Sequence, residues 1–244
     1  GVNVRIVYKP GGGVAVGFSE LHRSKPDGYT IANVVVPNVI LSSKGDGVGY
    51  KPGDFEYIGM TESAVGALMV PKDSPYKTLD AFVAAALDKP GMLTVAGVGG
   101  TGANRWGALA DILGIETTYV PVSGGVGKMM PMLAGSHVDA GMTASNHATK
   151  HSSIVDALVI AGKQEVKTLK GVPFEPEWSY VTTWGIMAPP GTPADIIATL
   201  NAALNEAASD PSVADTLGNA GYNPIIQTVG EVNAFMDEQI KAYE

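Results

Sequence analysis

Short apolar runs alternate along this chain with stretches in which apolar residues return every three or four positions. That is the pattern of strands alternating with amphipathic helices. Residues 4–8, Val-Arg-Ile-Val-Tyr, read as an opening strand cut off by the breaker cluster Lys9-Pro10-Gly11-Gly12-Gly13. Residues 18–23 read as a short helix and Asp27-Gly28 as a turn. Residues 29–36 read as a strand apolar enough to be covered on both faces. Residues 55–60 and 67–70 are short strands. Residues 78–87 form a helix with Leu79, Phe82, Val83 and Ala86 on one face, Thr78 as its cap, and Lys89-Pro90-Gly91 as its stop. Further strands are predicted at 93–96, 117–120, 138–142, 157–161 and 184–188, and helices at 102–113, 127–133, 193–208, 211–220 and 231–243. Gly114 and Gly135 are placed as helix stops, and Thr192 as an N-cap ahead of Pro193. Residues 172–176 read as a Pro-rich loop.

This order predicts an α/β protein with parallel sheets. No fixed-period repeat, low-complexity tract or compositional break marks a linker. For 244 residues, two lobes joined by extended crossings suit better than one very wide sheet. The expected division is residues 1–68 plus 185–244 for one lobe and 69–184 for the other.

Composition narrows the function classes. With 45% hydrophobic and 16% charged residues the chain is not a disordered one. Lys and Arg number 16 against 24 Asp and Glu, a net charge of -8, so most of the surface repels phosphate backbones and anionic lipid. The absence of cysteine excludes disulfides, thiolate catalysis and Cys-based zinc sites, and fits an oxidising compartment. No apolar run is long enough to span a membrane. The chain opens directly on the strand pattern at 4–8, as a mature product would after loss of an export signal.

Two glycine clusters follow predicted strands. Gly97-Val98-Gly99-Gly100-Thr101-Gly102 also opens a helix, the context in which backbone N–H groups meet an anion. A nicotinamide-binding fingerprint further needs an acidic residue after the next strand. Pro121-Val122-Ser123 stand there, and Glu116 precedes that strand, so generic anion or carboxylate binding is favoured over a dinucleotide oxidoreductase. In Lys9 to Gly13 the lysine precedes the glycines, which is not a P-loop, although free N–H groups at a strand's carboxyl end still suit a ligand clamp. His147 and His151 have zinc-protease spacing, but Ala148 stands where the glutamate belongs; they read as a solvated polar segment, not a metal site. Ser123 and Ser145 lack a nucleophile elbow, His22 and His137 lack partners, and no glycosidase-type carboxylate pair can be assigned. Trp184, with Thr182 and Thr183, opens an apolar strand and is either the lid of a pocket or a core residue. Met129, Met130 and Met132 read as core.

The segments together resemble the TctC or Bug family, the substrate-binding proteins of tripartite tricarboxylate transporters. The resemblance rests on their joint order. It begins with the opening stretch into Pro10-Gly11-Gly12-Gly13, then Pro26-Asp27-Gly28-Tyr29-Thr30 and Tyr50-Lys51-Pro52 with Asp54-Phe55. It continues with residues 70–79, Lys89-Pro90-Gly91, residues 97–101, Val120-Pro121, Leu133-Ala134-Gly135 and Val138-Asp139. It ends with Gly171-Val172-Pro173 and Ala188-Pro189-Pro190-Gly191-Thr192-Pro193.

The resemblance implies a two-lobe periplasmic binding protein with the ligand cleft between the lobes. It would be no enzyme, use no cofactor or metal, act as a monomer, clamp a small organic carboxylate and pass it to a membrane permease. Pro10, Gly11, Gly12 and Gly13 would form one clamp loop. Gly99, Gly100, Thr101, Gly102 and Ala103 would form the facing one, with Thr101 as hydroxyl donor. Thr143, Ala144 and Ser145 would be a third wall, with Trp184 beside them. A ligand-sensing module that signals to a partner protein shares this pattern.

Three departures stand out. Gly13 runs straight into Val14-Ala15-Val16-Gly17, where the family pattern first adds a helix, a strand and an Asn-Arg-Pro-Gly segment. Thr143 replaces the family's Asp, and Val122-Ser123 replace an aromatic followed by Lys. The family's His after the Gly-Ser/Thr turn is replaced around Asn104-Arg105-Trp106. Arg105 either pairs with a second carboxylate or points to solvent.

Replacing Thr101 by valine is expected to weaken carboxylate binding by about 1–2 kcal/mol, because a hydrogen bond to a charged group is lost. Titration calorimetry reads the difference, and equal affinities would remove Thr101 from the clamp.

Overall fold

The computed structural model describes residues 3–163 and 165–243, with residues 99–101 described by their backbone alone. In chain order the elements are α1 (Ala15–His22), β1 (Ala32–Val36), α2 (Asn38–Ser42), β2 (Glu56–Pro71), α3 (Leu79–Asp88), β3 (Thr94–Val98) and α4 (Gly99–Leu113). Next come β4 (Thr118–Val122), α5 (Val126–Ala134), β5 (Ala140–Ala144), α6 (Ser145–Lys150), β6 (Val155–Ala161), β7 (Phe174–Glu175) and β8 (Val181–Ala188). The chain closes with α7 (Ala194–Ala208), α8 (Pro211–Asn219), β9 (Asn223–Pro224) and α9 (Val229–Tyr243). The chain forms two compact units. One is Gly1–Glu62, Thr183–Ala214 and Pro224–Glu244; the other is Ser63–Thr182 and Asp215–Asn223.

In the first unit, β1 and β8 pair antiparallel, from Ala32 opposite Met187 to Val36 opposite Thr183. Helix α1 buries Ala15, Phe18 and Leu21, spaced by three, and Phe18 meets the edge of the Tyr50 ring. Val232 and Met236, four apart on α9, enter the same core. Asn201 of α7 is buried, yet its amide donates to the carbonyls of Ile58 (2.7 Å) and Gln227 (2.9 Å), so its N–H groups are not stranded.

In the second unit the strands run β7-β6-β2-β5-β3-β4. Period-two alternation divides their side chains between two cores. Leu68, Val70 and Val95 face one core with Phe82 of α3 and Trp106 and Leu109 of α4. Ala67, Met69 and Ala96 face the other with Met129, Met130 and Leu133 of α5. A sheet covered on both faces has no polar side, and every residue of β5 is buried. A polar couple fixes its register. The Asp139 carboxylate accepts from the Thr94 N–H (2.8 Å) and hydroxyl (2.7 Å), and the Asp139 N–H donates back to that hydroxyl (3.0 Å).

Several expectations are corrected. Residues 3–11 form no strand: Val4 and Tyr8 are each 84% exposed, and a strand persists only where a neighbour takes its N–H and C=O groups. The two short strands at 55–60 and 67–70 are one, β2, because polar Thr61-Glu62-Ser63 remains extended between them. The sheets are mixed. β3 is parallel to β4 and β5, whereas β2 is antiparallel to β5 and β6. Thr192 does not cap α7; its hydroxyl donates to the Pro189 carbonyl and Pro193 takes the N-cap position. Phe174 and Glu175, expected in a loop, pair with Ile160 and Ala161. Thr78 caps α3 as predicted, accepting from the Ala81 N–H, and Gly114 ends α4 in the left-handed region.

Asp139→Ala is expected to lower the unfolding free energy by about 1–3 kcal/mol by leaving the Thr94 N–H without its acceptor. Denaturant titration measures this, with Asp139→Asn retaining part of the loss; a neutral effect would mean that the couple does not hold the register.

Candidate functional site

Three strand-to-helix turns leave the second unit at one level, and the strand register is the reason. On β3, Val98 stands opposite Val122 of β4, and Gly97 opposite Met142 of β5. The next residues therefore emerge side by side: Gly99 opening α4, Ser123 leading into α5, and Ser145 opening α6. The fold thus brings Gly99 to Ala103 together with Thr143, Ala144 and Ser145. Thr143 and Ala144 are pinned from the other side by β2, opposite Ala67 and Gly66.

The glycines at 99–102 are not a loop. They are the first turn of α4, which starts at Gly99 rather than at Gly102. The first N–H groups of a helix lack internal partners, and 15 residues of aligned peptide dipoles lie behind them. The side chain of Thr101 lies outside the described residues, and so do the surroundings of Gly99 and Gly100. Gly102 is buried for a packing reason. A Cβ there would lie 2.3 Å from the Tyr119 hydroxyl oxygen, and a Cβ on Gly97 would lie 2.6 Å from it. Both glycines make room for one phenol. Burial, with a smaller effect from Tyr180, pushes that phenol's pKa up to about 12. Ala103 is half-buried.

At the end of β5, Thr143 and Ala144 are buried and Ser145 is fully so. The Ser145 Oγ, the Asn146 Oδ1 and the His147 Nδ1 are buried without a hydrogen-bond partner among the described residues. The Asn146 amide donates to the Tyr222 hydroxyl at 2.8 Å. The segment expected to be solvated is thus a helix packed on the sheet, with Ala148 at 2% exposure. His147 stacks on His151 with ring centroids 6.3 Å apart. Burial, then His151 and Lys150, hold the His147 pKa down at about 4, so the ring is neutral at ordinary pH. Among the described residues no three His, Asp or Glu side chains gather as a metal site needs.

Arg105 does not simply point to solvent. Its guanidinium donates to the Thr182 hydroxyl and the Val181 carbonyl, both at 3.2 Å, and lies 3.9 Å over the Tyr180 ring. Trp106 is core, and its indole donates to Thr117 at 2.8 Å. Sequence reasoning missed the packing of Tyr119 against Gly97 and Gly102, which exists only once β4 lies beside β3. It also missed a shallow groove of about 520 Å³ lined by Pro121, Val122, Ser123, Lys128, Pro131 and Met132.

Pro10 to Gly13 and Trp184 belong to the first unit. Gly11, Gly12 and Gly13 have φ of 130°, 55° and 58°, values natural to glycine, and the Val14 N–H closes the turn on the Gly11 carbonyl. All four of Pro10 to Gly13 are exposed. Trp184 is half-exposed on β8 opposite Val35, so it is not core.

Comparison with known proteins adds a family. The model of the tripartite tricarboxylate transporter family receptor matches residues 1–244. The UPF0065 protein in the TAR-I ttuE-ttuC' intergenic region of Agrobacterium vitis is 28% identical over 253 residues, covering 99% of this chain and 72% of that protein. Among solved structures, Rpa4515 of Rhodopseudomonas palustris with adipate has a TM-score of 0.86 at 20% identity, over 96% of this chain and 81% of that one. MatC (Rpa3494) of the same organism, with bound malate, has a TM-score of 0.82 at 23% identity, over 96% of this chain and 84% of that one. These likenesses show the fold: the α/β fold of the two-lobed periplasmic binding proteins.

The neutral His147 carries a pH dependence. Its folded pKa lies below the ordinary 6.5, so on acidification the unfolded chain takes up a proton that the folded chain refuses. The contribution is complete above about 6.5 and declines towards pH 4. Melting temperatures are expected to fall across that window, and His147→Gln to flatten part of the fall; parallel curves for the two proteins would contradict it.

Proposed function

Because this chain belongs to the tripartite tricarboxylate transporter family of receptors, we propose that it is a periplasmic solute-binding protein. It captures a small organic carboxylate without converting it and delivers it to a membrane permease of the tripartite tricarboxylate type. The observation that carries the ligand class is the Ser145 hydroxyl, fully buried and without a partner among the described residues, just past the end of β5. A buried hydroxyl in a native fold calls for a partner, and a carboxylate oxygen can supply one. The helix dipole adds about 0.3–1 kcal/mol for an anion at the start of α4. Adipate and malate, found in two structural neighbours, are carboxylates of the expected size.

The dinucleotide reading finds less support. Val122 ends β4 and Ser123 follows, so no carboxylate stands where a ribose would be held, and the Tyr119 phenol occupies the Gly97 and Gly102 faces. Pro10 to Gly13 and Trp184 remain further candidate contacts and are no part of this reading. A sensing role would use the same ligand chemistry and differ only in its protein partner.

A thermal-shift screen against mono-, di- and tricarboxylates is expected to give concentration-dependent stabilisation by at least one of them. Ser145→Ala should then weaken that ligand about tenfold, while the ligand-free protein melts at the same temperature or higher, since an unsatisfied buried hydroxyl has been removed. No shift from any carboxylate, or turnover of a bound one, would overturn the reading.

A further inference from the structure

We propose that Arg105 is a specificity-determining contact and that the ligand is a dicarboxylate, one of whose carboxylates is gripped by the Arg105 guanidinium. The inference rests on the carboxylate reading above and names its substrate class.

The guanidinium is fixed, but its charge is not met. One N–H on each terminal nitrogen donates, to the Thr182 hydroxyl and to the Val181 carbonyl, and the group lies over the Tyr180 ring. None of these partners carries a charge. Among the described residues the ion pairs are Lys9 with Glu20, His22 with Asp54 and Lys72 with Asp156, and none involves Arg105. The remaining N–H groups of the fork make no hydrogen bond among the described residues. Arg105 is half-buried, and a cation partly withdrawn from water is best matched by an anion. A planar fork with free N–H groups suits a carboxylate, which it can hold by parallel, charge-assisted bonds.

The fold holds this cation in place. The Trp178 indole N–H donates to the Arg105 carbonyl at 3.2 Å, and the Trp178 ring meets Tyr180 edge-on at 5.7 Å. Gly66 leaves the room in which the Tyr180 ring lies: a Cβ there would stand 2.2 Å from the ring's Cδ1. Gly66 has no positive φ, so the approach of the ring, not the backbone angle, calls for glycine. A side chain already ordered this way loses little further freedom when it takes a ligand.

The strand register puts the cation at the rim where Ser145 lies. On one side Gly66 stands opposite Ala144, the last residue of β5. On the other its N–H donates to the Tyr180 carbonyl at 2.9 Å. Tyr180 is therefore level with Ala144, one residue short of Ser145. Gly66 and Ala144 turn to the same sheet face as Leu68 and Met142, which pack with Trp106 of α4. Arg105 thus lies over the α4 face of this rim, and the unpartnered Ser145 hydroxyl lies just past the end of β5. A monocarboxylate can serve one of these groups; a dicarboxylate can serve both.

The experiment is titration calorimetry on the whole chain with succinate, glutarate and adipate, each beside the monocarboxylate of equal length: butyrate, pentanoate and hexanoate. At least one dicarboxylate should bind the unmodified protein about tenfold to a hundredfold more tightly than its monocarboxylate. Arg105→Gln should remove most of that preference and change the monocarboxylate by less than about twofold, and Arg105→Lys should restore part of it. If the unmodified protein binds the monocarboxylates as tightly as the dicarboxylates, the inference fails whether or not the variants fold. If Arg105→Gln weakens both kinds of acid by the same factor, Arg105 only supports the structure and the inference fails. If other carboxylates bind but no dicarboxylate does, the inference fails while the carboxylate reading stands. If no carboxylate binds, both fall.

Discussion

The second unit depends on one alignment: β3 held in parallel register between β4 and β5. Parallel pairing gives neighbouring strands a common carboxyl end, where their connections all leave the sheet. A slip of one residue would turn Val95 and Ala96 to the wrong cores and carry Gly99 away from Ser145. The Thr94–Asp139 couple fixes the far end of these strands, using a carboxylate that the sequence shows only as part of Val138-Asp139. A side chain with no place in the site thus decides where the site's backbone lies.

Much of this was legible because it follows from local rules. Helix α3 was readable from its apolar face and its threonine cap, and α4 from its apolar spacing and Gly114, since both signals act within a few residues. The strands of the second unit showed as apolar runs because both faces are covered. What needed distant partners was not readable. Residues 4–8 have a strand's composition, but composition supplies no neighbour to pair with. The direction of β2 against β5 and β6 is set by the connections between them, and α6 looked like a polar loop because its burial comes from the sheet beneath it.

The site divides along the same line. Residues 97–102 stood out as a glycine cluster after a strand, whereas Thr143 to Ser145 came only from the family resemblance; the register gathers Gly99 to Ala103 and Thr143 to Ser145 at one edge of the unit. Tyr119 could not be picked out. Nothing in its immediate sequence links it to Gly97 and Gly102, and the relation exists only once β4 lies beside β3. Arg105 shows the opposite case. A lone cation next to a glycine turn is visible in the sequence, whereas the folding of its side chain onto Tyr180 and Thr182 is not.

The position of Arg105 bears on the kinetics of any anion at the start of α4. Its partners, the Thr182 hydroxyl, the Val181 carbonyl and the Tyr180 ring, are all uncharged, so they fix the guanidinium without cancelling its charge. Beyond the short reach of such a local cation and of the peptide dipoles, the overall charge of -8 opposes an approaching anion. Encounter would then be slowed by that repulsion and quickened by added salt.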